Sequence, residues 1–387
     1  MMKTALVNGR IYTIAGKVWE NGTLLCEEGK ITAVGDSISI PENAEIVDLQ
    51  GKMVLPGFID AHTHLGILEE IYQEEGDDLN EYTEPITPEM RALDAVNSGD
   101  IAFRDAIAGG ITTVMTGPGS ANVLGGTNLV MKTAGSSFEE MVILPQAGLK
   151  AAFGENPKRV FSEQKKVPCT RMGIAALLRQ ALTDAQDYQA KKVKAAFSRE
   201  AFERDLGMEN LVLVLEKKLP LCVHAHRADD ILTAIRIIDE FGVEMILEHG
   251  TEAQKVILEL QKRNIPVVVG PTLSGRSKVE LAEITWQTAV LLNEAGILVA
   301  FTTDHSVIPV QYLPLCASLA VRNGMPEEEA LAAITLNPAR ILKLEHRIGS
   351  LEAGKDADFV VMSGHPLDWR TNVERVYING KLVYDRK

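Results

Sequence analysis

VLPGFIDAHTH, residues 54–64, is an apolar run that passes through Pro56-Gly57 and ends on two histidines separated by one residue. In an extended chain residues i and i+2 project to the same side, so His62 and His64 can converge on one ion. Outward from here the same design recurs. GITTVMTG (110–117), EEMVILPQAGLKAAF (139–153), LPLCVHAH (219–226), VEMILEHG (243–250), IPVVVGPTL (265–273) and ILVAFTTDH (297–305) are apolar, strand-like runs. Amphipathic segments such as ADDILTAIRIIDEFG (228–242) and EAQKVILELQKRN (252–264) lie between them, ending on a Gly or Asn that suits a helix C-terminus. Near-continuous apolar strands alternating with helices imply parallel strands buried on both faces.

The expected fold class is therefore α/β, and roughly 290 residues of this pattern fit a (β/α)8 TIM-like barrel. A doubly wound open sheet gives a similar alternation, and periodicity alone does not choose between them. The charged, helix-prone stretch 155–210 reads as an insertion between two barrel strands. TGPGSANVLGGTN (116–128) reads as a Gly-rich polar loop whose backbone can approach a ligand closely, without the pattern of a phosphate loop.

Both chain ends differ from the middle. TALVNGRIYTI (4–14), TLLCEEGKITAVGD (23–36), DADFVVMSG (356–364) and VERVYINGKLVYDR (373–386) are short strands punctuated by Asn-Gly or Glu-Gly-Lys, which signal hairpins. Residues 1–55 with 346–387 are expected to form one small discontinuous β-domain, a β-sandwich, around a barrel of residues 56–345.

Composition excludes several classes of function. The net charge of −14, from 39 basic and 53 acidic residues, argues against a nucleic-acid or anionic-membrane partner, both of which need a basic footprint. No stretch is long and apolar enough to span a bilayer, and the first residues read directly as a strand and turn rather than a leader. Cys26, Cys169, Cys222 and Cys316 are far apart, which fits reduced thiols and a cytoplasmic residence better than a disulfide framework.

The polar residues of interest collect at strand C-terminal ends: His62 and His64, His224, His249, and Asp304. A lone buried histidine is more often a core residue than a ligand, and Asp304 alone would suit a helix N-cap. Four imidazoles and a carboxylate each terminating an apolar strand are not explained that way, because in a parallel barrel these ends share one catalytic face. Around them, the acidic loop 65–89 reads as a lid in which Asp78, Asn80, Glu81 or Thr83 reaches substrate, against the alternative of a solvated surface. His226, Arg227, Arg276 and His305 adjoin the strand ends, where one of them holds a substrate carboxylate or polarises a carbonyl; the arginines equally suit helix caps or surface pairs.

VLPGFIDAHTH, GITTVM, VHAH, EHG, TTDH and the tail TLNPARILKLEHRIGSLEAGKDADFVV (335–361) together resemble the amidohydrolase superfamily, over nearly the whole chain. The resemblance is to its imidazolonepropionase-like branch, which also contains prolidase-like dipeptidases. It implies that His62, His64 and Asp304 bind one divalent metal and His224 and His249 a second. Lys150, in LPQAGLKAAFGENP (144–157), falls where prolidase-like members carry a carboxylated lysine that bridges two ions. Two zinc ions are the expected cofactors, with iron, manganese, cobalt or nickel also suited to N/O ligands. The implied reaction is hydrolysis of an amide or related C–N bond in a dipeptide, an N-acyl amino acid or a cyclic amide. Asp304 handles the proton of the attacking water and His226 assists at the oxyanion. The alternatives are a mononuclear imidazolonepropionase-like or deaminase-type enzyme, and a lactonase or esterase on the same scaffold. A scaffolding protein with a dead barrel is disfavoured because every expected ligand position is occupied. The partners implied are a small-molecule substrate and, in common with much of the family, further copies of the same chain.

Overall fold

The computed structural model describes residues 3–71, 73–199 and 201–386. Among the described residues sixteen strands form two sheets. The first sheet takes β1 (Lys3–Tyr12), β2 (Val18–Glu27), β3 (Lys30–Gly35), β4 (Glu45–Asp48) and β5 (Met53–Pro56) from the start of the chain. The second comprises β6 (Phe58–Thr63), β7 (Ile111–Thr116), β8 (Leu124–Lys132), β9 (Val142–Ala152), β10 (Leu221–Ala225), β11 (Met245–His249), β12 (Val267–Val269) and β13 (Val299–Phe301). The chain then returns to the first sheet with β14 (Phe359–Met362), β15 (Val373–Ile378) and β16 (Lys381–Asp385).

In the first sheet β14 pairs antiparallel with β5, so both chain ends belong to one hydrogen-bonded sheet. Its contact with the second sheet is largely apolar, with Leu55, Val360, Val376 and Ile378 in one buried cluster with Phe58 and Ile111, and it carries one buried electrostatic tie. Lys132, fully buried at the end of β8, donates to Asp356 (2.7 Å), Asp358 (2.6 Å) and the side-chain oxygen of Asn379 (2.8 Å).

The second sheet runs in chain order from β6 to β13 as a nearly closed barrel. It departs from the expected all-parallel arrangement at one strand. β8 pairs antiparallel with both β7 and β9, and it begins inside the stretch read from sequence as a Gly-rich loop. All nine of its residues are buried, and its glycines are why it does not read as a strand. Gly126 has φ +113°, and a Cβ there would lie 2.6 Å from the Met90 carbonyl oxygen. An antiparallel strand needs no crossover helix, so β7, β8 and β9 follow one another through short connections. The region 155–210 supplies helices Glu155–Glu163, Arg171–Ser198 and Leu206–Leu215 between β9 and β10.

Inside the barrel, the lower layer is apolar: Ile59, Ala61, Met115, Val130, Cys222, Ile246, Val268 and Ala300 pack together, with Leu342, Leu344 and Ile348 against them. Gly148 belongs to this layer, since a Cβ there would lie 2.3 Å from Cys222 Sγ. Two residues further along, the side-chain period of a strand places Lys150 above Gly148, His224 above Cys222 and Glu248 above Ile246. The polar site therefore stands on an apolar floor.

Candidate metal centre

Three backbone irregularities bring the histidines and Asp304 together. The pairing of β6 with β7 slips between Asp60 and Thr63, so that His62 and His64 turn inward beyond the apolar Ile59 and Ala61. His249 has φ +71° and leaves β11 so that its ring joins the cluster although Glu248, its neighbour, already faces inward. Asp304 has φ +52°. Non-glycine residues in this left-handed region store strain of about 1–2 kcal/mol each and collect at functional sites.

The seam of the barrel lies beside these residues. No ladder joins β6 to β13 among the described residues. Instead Asp60, fully buried, accepts from the Thr303 amide (2.9 Å), the Thr303 hydroxyl (2.7 Å) and the His62 amide (3.2 Å). Burial pushes the Asp60 carboxyl up to about 6 against these bonds. Thr302 Oγ1 donates to the His62 carbonyl and accepts from the Asp304 amide (2.8 Å). One small network thus fixes a histidine on the first barrel strand and the aspartate after the last.

The result is a cluster of buried rings. His62 and His64 have ring centres 5.1 Å apart, His62 and His249 5.0 Å, His224 and His249 4.4 Å, and His226 and His249 4.7 Å. Asp304 Oδ1 lies 3.2 Å from His62 Nε2 and 3.3 Å from His64 Nε2. His64 and His249 each donate Nδ1–H to a backbone carbonyl, of Gly117 and Gly270 (2.7 Å each), which directs Nε2 into the cluster. Both ring nitrogens of His224 are buried without a hydrogen-bond partner. Ligand atoms of His62, His249 and Asp304 lie within 4.8 Å of one another, as do those of His224, His226 and His249. Neutral imidazoles with one nitrogen held by an outer partner and the other free, beside a carboxylate, are the donor set of a divalent metal site. The residues present therefore fit such an ion.

Electrostatics agree with that reading at His224, His226 and His249. Burial, with the neighbouring His249, holds His224 and His226 well below the usual histidine range, and burial holds His249 down at about 4. Burial works against the charge of Asp304, but His249, His62 and His64 more than offset it and hold the carboxyl well below its usual range. His62 differs: burial pushes it down, yet the charge of Glu248 wins and lifts it to about 9.

Glu248 was not apparent as a site residue in the sequence, where EHG drew attention only to its histidine. It is fully buried; Oε1 lies 3.0 Å from His62 Nδ1 and Oε2 accepts from the Lys150 ammonium. Glu280 is a second such residue. Its Oε1 lies 3.7 Å from both His224 Nε2 and His226 Nε2, and 2.6 Å from Lys278 Nζ. Neither has a sequence signal beyond being acidic in an apolar setting.

These groups open onto a cavity of about 680 Å3 lined by His62, His64, Lys150, His224, His226, His249 and Asp304. From the acidic loop Leu68, Leu79, Asn80 and Tyr82 line it, but Asp78, Glu81 and Thr83 do not. Asn80 uses its side-chain oxygen to accept from the Ala121 amide (3.0 Å), and exposed Glu81 accepts from Thr83 Oγ1 (2.8 Å). Three further residues expected near substrate lie off the cavity wall. Arg227 is exposed and paired with Asp229 (2.9 and 3.0 Å), and Arg276 donates to the Ala282 carbonyl (2.8 Å). His305 is buried, accepts from the Val310 amide (3.2 Å) and is held down at about 4 by burial. His226 does line the cavity, with Nδ1 hydrogen-bonded to Thr251 Oγ1 (2.8 Å).

A barrel with a His-rich, carboxylate-bearing mouth at its strand ends has the donor groups for a divalent metal. Residues 53–383 match the amidohydrolase family model, and the chain belongs to the amidohydrolase family. It is accordingly an enzyme, a hydrolase acting on carbon–nitrogen bonds. A crystal structure of an amidohydrolase from Thermotoga maritima MSB8 is similar at 48% identity and TM-score 0.97, over 99% of this chain and all of that one. Amidohydrolase tasK of Hapsidospora irregularis is 28% identical over 405 residues, which cover 96% of this chain but only 40% of that longer protein. An imidazolonepropionase of Fusobacterium nucleatum is 24% identical over 403 residues, 95% of this chain and 92% of that protein.

Proposed function

We propose that the chain hydrolyses an amide or related C–N bond with His62, His64 and Asp304 holding one divalent cation and His224 with His249 flanking a second position. The observation that carries this is two buried groups of ligand atoms that share His249, one with His62 and Asp304 and one with His224 and His226, in which both nitrogens of His224 and Nε2 of His62 have no hydrogen-bond partner. A divalent cation in such a cradle supplies Lewis-acid polarisation of a carbonyl and acidification of water. The protein's own part follows from its geometry. Asp304, kept ionised by three histidines, takes the proton of the attacking water and passes it to the leaving nitrogen. Neutral His226, its ring set by Thr251, presents Nε2 to the developing oxyanion. Zinc is the first choice of metal, and the substrate class is a dipeptide, an N-acyl amino acid or a cyclic amide. Residues 1–55 with 346–387 act in this reading as a small β-domain supporting the barrel.

A second reading has one ion instead of two. In it Lys150 keeps its contact with the buried carboxylate of Glu248 instead of bridging two ions. Metal analysis of purified protein separates the two, near two ions per chain for the bridged centre and near one for the other. Removing metal should abolish amide hydrolysis and restoring zinc or manganese should recover it; undiminished turnover by metal-free protein overturns the proposal. A parallel screen of esters and lactones tests the alternative chemistry on the same scaffold.

A further inference from the structure

We infer that Arg159, on the wall of the metal-centre cavity, binds a carboxylate of the substrate, so that the enzyme acts on C–N bonds in molecules bearing a free carboxylate, as in N-acyl amino acids and dipeptides. This inference rests on the hydrolase reading above and narrows its substrate class.

The charged residues of the cavity divide into groups with partners and one without. Lys150 is engaged by Glu248, and Lys278 by Glu280 (2.6 Å) and, at 3.3 Å, by the side-chain oxygen of Asn156. Asp304 faces the histidines. Arg159 lines the same cavity and, among the described residues, has neither an ion pair nor a hydrogen bond. Glu155 and Glu163 lie one turn away on either side in the helix Glu155–Glu163, at the spacing where Arg–Glu pairs form, yet neither pairs with it.

Its placement is fixed by neighbours. Asn156, at i−3 on the same helix face, and Val160, the next residue, also line the cavity. Asn156 donates to Ser120 Oγ (2.8 Å) and accepts from Lys278, tying this helix to the loop after β7 and to the segment carrying Glu280. A guanidinium matches a carboxylate through two parallel N–H donors, and it keeps its charge at any working pH. In a chain of net charge −14, an arginine left unpaired on a wall whose other acids are already engaged is poised for an anionic ligand. The other two arginines near the strand ends are committed elsewhere: Arg227 to Asp229, Arg276 to backbone carbonyls.

The test compares metal-loaded wild type with Arg159→Met on a panel of N-acetyl amino acids and the matching C-terminal amides. The exposed position makes both variants below fit to fold. Wild type should prefer the acids by about tenfold or more in kcat/KM, the discrimination expected of a charge-assisted bond. Arg159→Met should erase that preference, chiefly through KM for the acids, while leaving the amides unchanged, and Arg159→Lys should recover part of it. Equal use of acids and amides by wild type, or an undiminished preference in Arg159→Met, overturns the inference and leaves the hydrolase reading standing. Absence of turnover with every acid and amide overturns the inference and leaves cyclic amides as the substrate class of the hydrolase reading.

Discussion

Lys150 on β9 donates its ammonium to Glu248 on β11 across the intervening strand, and both side chains are buried under the histidine cluster. The same carboxylate touches His62 Nδ1, so one acid neutralises a buried lysine and orients a ring of the metal cradle. A carbamate on Lys150 would place a second anion against Glu248, so a bridged centre requires cations to take over the role the ammonium plays here.

Breaking this pair from one side should be costly. Lys150→Met or Glu248→Leu alone leaves a buried charge uncompensated and should lose about 3–5 kcal/mol, whereas the double variant should recover most of it. Urea unfolding of the four proteins checks this; additive losses would show that the two groups do not act as a pair.

The seam prediction concerns Asp60. Its carboxylate stands in for the missing ladder between β6 and β13 by catching Thr303 twice while holding the His62 amide. Asp60→Ala leaves those buried donors unsatisfied and should cost about 2–4 kcal/mol. It should also weaken metal retention, since His62 and Asp304 sit on opposite sides of the seam. Metal content after dialysis against a weak chelator measures the second effect; retention equal to wild type contradicts the coupling.

Metal removal should lower stability as well as activity. A ligand present at about 100 times its Kd stabilises the folded state by about 2.7 kcal/mol, so chelation should reduce Tm and zinc should restore it. In His62→Ala and Asp304→Ala that Tm response to zinc should shrink. Arg227→Ala should keep it, being an exposed residue whose partner is Asp229, with a stability change within about 0.5 kcal/mol. An unaltered response in the two cradle variants would place the ion elsewhere.

Much of this was legible in the chain because strand-end histidines carry their own positional signal. VHAH, EHG and TTDH each mark the point where an apolar run stops, and the structure gathers those points at one mouth. β8 was not legible: LGGTN has the composition of a turn, and the glycine at 126 is there because the Met90 carbonyl passes too close for a side chain. Glu248 and Glu280 were hidden for a different reason. A lone acid in an apolar run gives no clue to its partner, and Lys150 lies 98 residues from Glu248. Conversely, Arg227 and Arg276 looked poised for substrate because adjacency in sequence to a strand end does not reveal that Asp229 or a backbone carbonyl has already engaged the side chain.

The carboxylates gathered at Lys132 respond to acid with opposite sign. Asp356 accepts from Lys30 (2.6 Å), Lys132 (2.7 Å) and Arg347 (2.8 Å). Burial opposes its charge, but these cations win and hold it below its ordinary 3.8. A depressed carboxyl contributes stability that is present above its unfolded pKa and lost as pH falls through the folded value. Asp358 has the opposite sign: burial raises it above 3.8 despite Lys132, so wild type gains from its protonation as pH falls through that raised value. The advantage of wild type over Asp356→Asn should therefore narrow from pH 7 to pH 3.5, while its standing relative to Asp358→Asn should improve. Urea midpoints of the three proteins at both pH values read these differences, in which the other titrating groups largely cancel. Parallel shifts in both variants would mean that the two carboxylates do not titrate with opposite sign. Lys132→Ala should be the most damaging change in this cluster, about 3–5 kcal/mol at pH 7, because it leaves buried Asp358 without a cation, whereas Asp356 keeps Lys30 and Arg347.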